Sequence, residues 1–484
     1  MQQSKGKKNL SEIAKYCTRN DIFLKTCRDM LKELDLRYIN TLLLAAKVKG
    51  VDVVRIFQLL FVFQYFDIKN THQYIRNGKS ISSDFKKDVF YDFMKNPKID
   101  WRKIVLLFLR QVLKLIDKKT VENTSASNEP RFFIVDDSIL EKTGKAIEGI
   151  GMVHDHCQNK WRIGMKVLTL GLWDGKSFLP VDFSIHNEPG KTGKRGLRKK
   201  DLDKQFVKDR AENTPGYSRV LEIAADKISM AVVQIANAMK MGIEANYVLA
   251  DTWFICESFI RDIRGLCKDM RVIGLMKTNR NIVIDGKTCK INSVPDLKRR
   301  EKKYSRKYKA HYIACKAEYK DIAIKGYWIK MKGNTSWKFM LSTDQTLTFI
   351  TAMKYYQIRW SIEVYFKDCK QNLGLNNCQS VDMDSYFAHI SITMMNYMVL
   401  SIRKRFEDYE SLGGMFRHTK AEILEKTLIE KMWEIIIELY LMIFAALDVD
   451  LDRFMLIIIH LEKSAEDLMK STLAELVSVN KRAA

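Results

Sequence analysis

The chain lacks any apolar run long enough to cross a bilayer. Its longest, Leu439 to Leu447, is bracketed by Glu438 and Asp448 and falls far short of the ~20 residues a spanning helix needs. No membrane span is expected. No apolar core follows the basic N-terminus MQQSKGKKNL, so nothing directs export. The nine cysteines are odd in number, scattered and without a CxxC pair, which argues against a disulfide scaffold or zinc ribbon and fits a reducing cytoplasm. Internal repeats and long low-complexity tracts are missing too. Acid is in short supply: 58 Asp+Glu face 82 Lys+Arg, a formal net charge of +24.

What is present is a foldable chain of 484 residues, 46% of them apolar, enough for two to four domains at ~100 to 200 residues each. The excess of Lys and Arg calls for a polyanion, because cations that neutralise phosphates release counterions. A merely solvated, lysine-rich surface is the plainer alternative.

From Ser11 to about Lys118 apolar residues return every three or four positions, so residues 1–118 read as an all-α module. Within it Val53 to Phe66 reads as a buried helix. Ser82-Ser83-Asp84 offers an N-cap for a short basic helix to about Met94, after a turn at Asn77-Gly78. That helix is either a DNA reader of helix-turn-helix type or an ordinary wet-faced helix. Residues 119–130, rich in Ser, Thr and Asn, form a linker.

An α/β domain is expected after it. Phe132-Phe133-Ile134-Val135 is a short strand that ends at Asp136-Asp137-Ser138, and Lys166 to Leu172 and Phe178 to Ile185 are strands joined by a hairpin at Asp174-Gly175-Lys176. A helix over about 218–241 leads to the strand Tyr247 to Ala250, which stops at Asp251, and a further strand covers Val272 to Met276. The resulting division is a first core part (131–281), a β-rich insertion (282–341), a second core part (342–410) and a helical C-terminal module (411–484). Two basic loops stand out, Gly190 to Lys200 and Lys298 to Lys309.

Asp136 and Asp251 each close a predicted buried strand, the place where open α/β sheets carry their chemistry. Glu363 lies on a helix expected to begin near Thr348. On that helix Tyr356, Arg359, Glu363, Lys367 and Lys370 share a stripe about 80° wide, while Ile358, Ile362, Tyr365 and Cys369 occupy the opposite side. A carboxylate cluster of this kind is comfortable only around divalent cations, and a pair of Mg²⁺ ions activates water or a 3′-hydroxyl for attack on a phosphodiester. An aspartate after a strand also serves as a plain cap, and Glu363 with Lys367 is also an ordinary i,i+4 pair. The residues alone leave these readings open.

The spacing Tyr356-(2)-Arg359-(3)-Glu363-(6)-Lys370 resembles the YREK signature of the DDE-type bacterial transposases of the insertion-sequence-four family. Asp136-Asp137-Ser138 is similar to that family's first acidic motif and YVLADTWF, Tyr247 to Phe254, to its second. The resemblance covers about residues 131 to 400. It implies a ribonuclease-H-like core, a mixed sheet flanked by helices with a β-rich insertion. It implies Asp136, Asp251 and Glu363 as catalytic ligands of Mg²⁺ or Mn²⁺, two ions in all. Tyr356, Arg359 and Lys370 are then phosphate contacts, Lys367 of the same stripe is expected beside them on the phosphates, and Trp328 or Trp337 is a candidate to stack on an extruded base. Because alternation puts Asp136 and Asp137 on opposite faces, Asp136, which ends the apolar run two residues before Ser138, is preferred as the first ligand.

The implied activity is cleavage at the terminal inverted repeats and joining of the 3′-hydroxyl ends to target DNA. Partners are double-stranded DNA and a second copy of the chain; no membrane is involved, and a bacterial, nucleoid-associated cytoplasmic location follows. Lys191, Lys194, Arg195, Arg198, Lys199, Lys298, Arg299, Arg300 and Arg306 are expected on the DNA backbone. Alternatives are a structure-specific nuclease on the same core, or a non-catalytic DNA-binding remnant. His154 and His156 read as structural, lacking a third ligand.

Overall fold

The computed structural model describes residues 22–45, 50, 52–66, 87–122, 129–156, 158–407 and 411–423, with isolated positions 432, 436, 439 and 442. The proposed turn at Asn77-Gly78, the cap at Ser82-Ser83-Asp84 and most of 411–484 fall outside them.

The first described elements are helices: α1 (Ile22–Leu31), α2 (Arg37–Ala45), α3 (Val53–Val62), α4 (Lys87–Met94) and α5 (Trp101–Glu122). Asp52 caps α3 by accepting from the Val54 amide at 3.0 Å, an N-cap bond that satisfies an otherwise orphaned donor. The periodic apolar residues Ile104, Val105, Phe108, Leu109 and Val112 of α5 are all buried. These helices are joined to the rest of the molecule by side-chain bonds. The Tyr65 hydroxyl donates to Asn396 Oδ1 at 3.0 Å, and the Asn396 amide donates to the Phe61 carbonyl at 3.0 Å. Arg102 forks onto Asp182 (2.6 Å) and Glu222 (2.7 Å). One apolar core runs through all of them.

The strands are β1 (Phe132–Glu141), β2 (Gly151–Asp155), β3 (Lys160–Trp173), β4 (Phe178–His186), β5 (Tyr247–Ala250), β6 (Arg271–Met276), β7 (Asn281–Ile284), β8 (Lys287–Lys290), β9 (Lys303–Ser305), β10 (Ala310–Tyr319), β11 (Ile322–Met331) and β12 (Lys338–Ser342). Between and after them lie α6 (Pro215–Glu222), α7 (Lys227–Lys240), α8 (Glu257–Leu266), α9 (Phe349–Ile358), α10 (Trp360–Gln371) and α11 (Met383–Phe406). The β3–β4 hairpin forms where expected. Asp174 Oδ1 accepts from the amides of Lys176 and Ser177 at 3.0 and 2.8 Å, and Gly175 takes φ +102°, a region L-residues avoid.

The core runs β4-β3-β1-β5-β6, antiparallel from β4 to β1 and parallel from β1 to β6. This mixed α/β sheet flanked by helices is consistent with a ribonuclease-H-like core. The β-rich segment does not form a sheet of its own: β12 pairs antiparallel with β6, and β11, β10, β7 and β8 continue the same sheet. One expected boundary was misplaced. β1 does not end at Asp136 but continues along β3 to Glu141, because the polar residues past Val135 still find a full antiparallel ladder.

A buried ion network locks α6 and α11 to the chain before α5. Arg210 binds Glu148 at 2.6 Å and Asp384 at 2.9 Å, Arg219 binds Asp384 at 2.6 Å, and Lys208 reaches Asp382 and Asp384 at 3.0 and 3.1 Å. Arg219 also donates to the Ile99 carbonyl at 2.7 Å. Three cations meet three carboxylates, so charge balances in a place where an unpaired ion is costly. Arg210→Met strands the buried Glu148 and is expected to lower unfolding stability by about 3–5 kcal/mol, measurable by urea denaturation; a change within ~0.5 kcal/mol contradicts the assignment.

Candidate active site

The site begins with a ladder. In the parallel pairing of β1 with β5, Val135 faces Ala250, so Asp136 and Asp251 are the next residues along two neighbouring segments of the chain. Beyond Ala250 the chain turns, and Asp251 Oδ1 accepts from the Trp253 amide at 2.8 Å, the turn-forming bond aspartate side chains make with backbone two residues on. The pleat separates Asp136 from Asp137. Asp137 pairs with Lys227 of α7 on one face of the sheet, while Asp136 turns to the other, toward Arg359.

Arg359 sits at a joint. The single helix expected from Thr348 is two, α9 and α10, with Arg359 between them in helical geometry (φ −52°, ψ −32°). Thr348 does cap α9, accepting from the Thr351 amide at 3.2 Å. On α10, Ile362, Tyr365 and Cys369 are buried and Tyr365 packs on Phe178 and Tyr397. The polar stripe is thereby held over β1. Arg359 Nη1 lies 3.2 Å from Asp136 Oδ2, and Nη2 lies 2.6 Å from Glu363 Oε1. Lys370 donates to Ser138 Oγ at 2.8 Å. Tyr356 lies beneath the Arg359 guanidinium, 5.7 Å from ring centroid to Cζ; burial pushes its phenol up to about 12. Lys367 is exposed. In the DNA-free structure Arg359 is thus engaged by two carboxylates.

Burial, then the charge of Asp251 and that of Asp137, raise Asp136 from 3.8 to about 7, against a partial offset from Arg359. These hard carboxylate oxygens suit Mg²⁺ or Mn²⁺, and the crowded like charge of Asp136 and Asp251 favours a cation electrostatically. Glu363 completes no cluster while it faces Arg359: among the described residues no three His, Cys, Asp or Glu side chains converge closely enough to hold a metal.

Several expected DNA contacts fare differently. Trp328 is fully buried, donating Nε1 to the Ile291 carbonyl at 2.7 Å and packing on Phe339; it has no face left for a base. Trp337 is half-buried against the core. Arg195 turns inward, its guanidinium donating to the Ile150 carbonyl at 3.1 Å and to Gln205 Oε1, whereas Lys191, Lys194, Arg198 and Lys199 are exposed. Lys298 is half-buried and paired with Glu301 (3.0 Å) and Asp285 (3.3 Å), while Arg299, Arg300 and Arg306 are exposed. This second basic run is tied to α9, the Tyr308 hydroxyl donating to the Ile350 carbonyl at 3.3 Å. His154 and His156 face one another, Nδ1 to Nδ1, at 3.1 Å, with Trp161 against the His154 ring.

Two neighbours of the site escaped the sequence reading. Trp253 is half exposed directly beyond Asp251, and Lys227 reaches it from α7, 5.0 Å from its ring centroid. Trp253 was visible inside YVLADTWF; Lys227 carries no local signal, since only the fold brings α7 here.

Because native Asp136 holds its proton more tightly than the unfolded chain, its ionisation costs stability as pH rises from about 4 through about 7. The loss is on the order of a few kcal/mol and is complete above the folded value. With chelator present, Asp136→Asn is expected to flatten this part of the Tm–pH profile; an unchanged slope in thermal melts from pH 4 to 8 contradicts it.

No curated protein matches the chain. Residues 231–399, from α7 to α11 and including Asp251 and Glu363, match the family model described as Transposase DDE domain, and with this geometry the match supports a DDE transposase.

Proposed function

We propose that the chain is a transposase of the insertion-sequence-four type, with Tyr356, Arg359, Glu363 and Lys370 as its YREK residues. It binds the terminal inverted repeats of its element, cleaves the DNA at their ends and joins the freed 3′-hydroxyls to target DNA. The observation that carries this reading is the placement of Asp136 and Asp251 side by side beneath the helix of Glu363, in a mixed sheet flanked by helices.

Asp136, Asp251 and Glu363 would hold Mg²⁺ or Mn²⁺, which when bound activates the attacking oxygen and stabilises the leaving one. The chain's own part is to orient and to neutralise. Arg359 shields Asp136 from Glu363, and a DNA phosphate offers its guanidinium an alternative bidentate partner. Lys367 and Lys370 hold the backbone on either side of the cut. The N-terminal helices, residues 1–118, serve end recognition, and Lys191, Lys194, Arg198 and Lys199 add sequence-independent affinity. The division at 119–130, 131–281, 282–341, 342–410 and 411–484 belongs to the same proposal. So do pairing of two ends by a homodimer and action on the bacterial nucleoid.

The test is a strand-transfer assay with labelled end DNA and Mg²⁺. Glu363→Gln is expected to reduce cleavage roughly 100-fold or more, the scale on which loss of one electrostatic stabiliser acts, and wild-type cleavage by that variant would remove Glu363 from the site. Cleavage without joining points to a nuclease. In the same assay Arg359→Ala is expected to weaken end binding and cleavage while CD-monitored folding persists; unchanged binding and rate exclude it as a phosphate contact.

A further inference from the structure

Asp137 points away from the carboxylate pair, yet it is connected to that pair past the end of β5. Its carboxylate pairs with the Lys227 ammonium. The same ammonium lies 5.0 Å from the centroid of the Trp253 indole, and the Trp253 amide donates to Asp251 Oδ1 at 2.8 Å. Each link is held in place. Lys227 is the first residue of α7, directly after its cap Asp226, which accepts from the Ser229 amide at 2.9 Å. Asp137 sits in the β1–β3 ladder opposite Leu168. Trp253, by contrast, is 53% exposed, and a cation over its face is the kind of contact that orders an otherwise solvent-facing ring.

We propose that Asp137 is a positioning residue for Asp251: acting through Lys227 and Trp253, it fixes the turn after β5 and so the carboxylate presented beside Asp136. This rests on the reading that Asp136 and Asp251 gather a divalent cation. The adjacent aspartates then have separate tasks, Asp136 at the site and Asp137 behind it. Removing either charge of the Asp137–Lys227 pair frees the indole and loosens the turn.

The test uses the full chain without DNA, with Mn²⁺ as the probe. Free Mn²⁺ is counted by EPR, and 5-fluorotryptophan ¹⁹F NMR follows Trp253, assigned by Trp253→Phe. Asp137→Asn and Lys227→Met are each expected to move the Trp253 resonance and to weaken Mn²⁺ binding about 10-fold, the lower end of what loss of an outer partner costs a metal site. Lys227→Arg restores both, and CD melts keep loss of folding distinguishable. Lys227→Met is decisive, because a plain field effect has the opposite sign: deleting a nearby cation strengthens Mn²⁺ binding, whereas loss of the brace weakens it. Stronger binding in Lys227→Met, or a Trp253 resonance unmoved by Asp137→Asn, overturns the proposal. Asp251→Asn run in parallel separates the two readings. If it leaves Mn²⁺ binding intact, the cation reading fails, and the brace is judged on the Trp253 resonance alone: movement in Asp137→Asn supports it and no movement overturns it.

Discussion

The parallel pairing of β1 with β5 is the constraint on which the site depends. The two strands run in the same direction and in one register, and their pairing ends with Val135 beside Ala250, so the first polar residue of each lies next to its counterpart. The apolar residues behind them, Phe133 to Val135 and Val248 to Ala250, are wholly buried, as expected of parallel strands covered on both faces. Asp136 bears the electrostatic consequence. Burial and the charge of Asp251 hold its carboxyl near neutrality in protonation, well above the usual aspartate range.

The surrounding charge is arranged by depth. Inside, cations and carboxylates are matched, as in the network of Lys208, Arg210 and Arg219 with Glu148, Asp382 and Asp384. At the site one cation, Arg359, lies between Asp136 and Glu363. The unmatched excess of the +24 chain includes exposed loop residues such as Lys191, Lys194, Arg299 and Arg300. An exposed excess of cations is the electrostatic form that attracts a polyanion.

Much of the architecture was legible. Helical periodicity marked α3 and α5, and β-like runs with turn chemistry marked β3, β4, β5 and β6. The aspartate-glycine turn stands where the sequence placed it because its signal is local: Asp174 bonds backbone two and three residues on. Reading failed where the deciding partner was distant. β1 outran its apolar run because β3 supplied hydrogen bonds to Asp136 through Glu141. Trp328 and Arg195 were expected to meet DNA, but the indole of Trp328 is buried against Ile291 and the Arg195 guanidinium bonds Gln205.

The sequence by itself determined the kinds of element, their order, and the side of each element on which a residue lies. It thus marked Asp136, Asp251 and the stripe from Tyr356 to Lys370, and it separated Asp136 from Asp137 by the pleat. Only the tertiary structure decided what covers each side. It set Arg359 against Asp136 and Glu363, gave Asp137 to Lys227, and buried one tryptophan while exposing another. The reason is physical: periodicity is a property of a single strand or helix, whereas burial, ion pairing and a carboxyl's proton affinity depend on what a second element brings within a few ångströms.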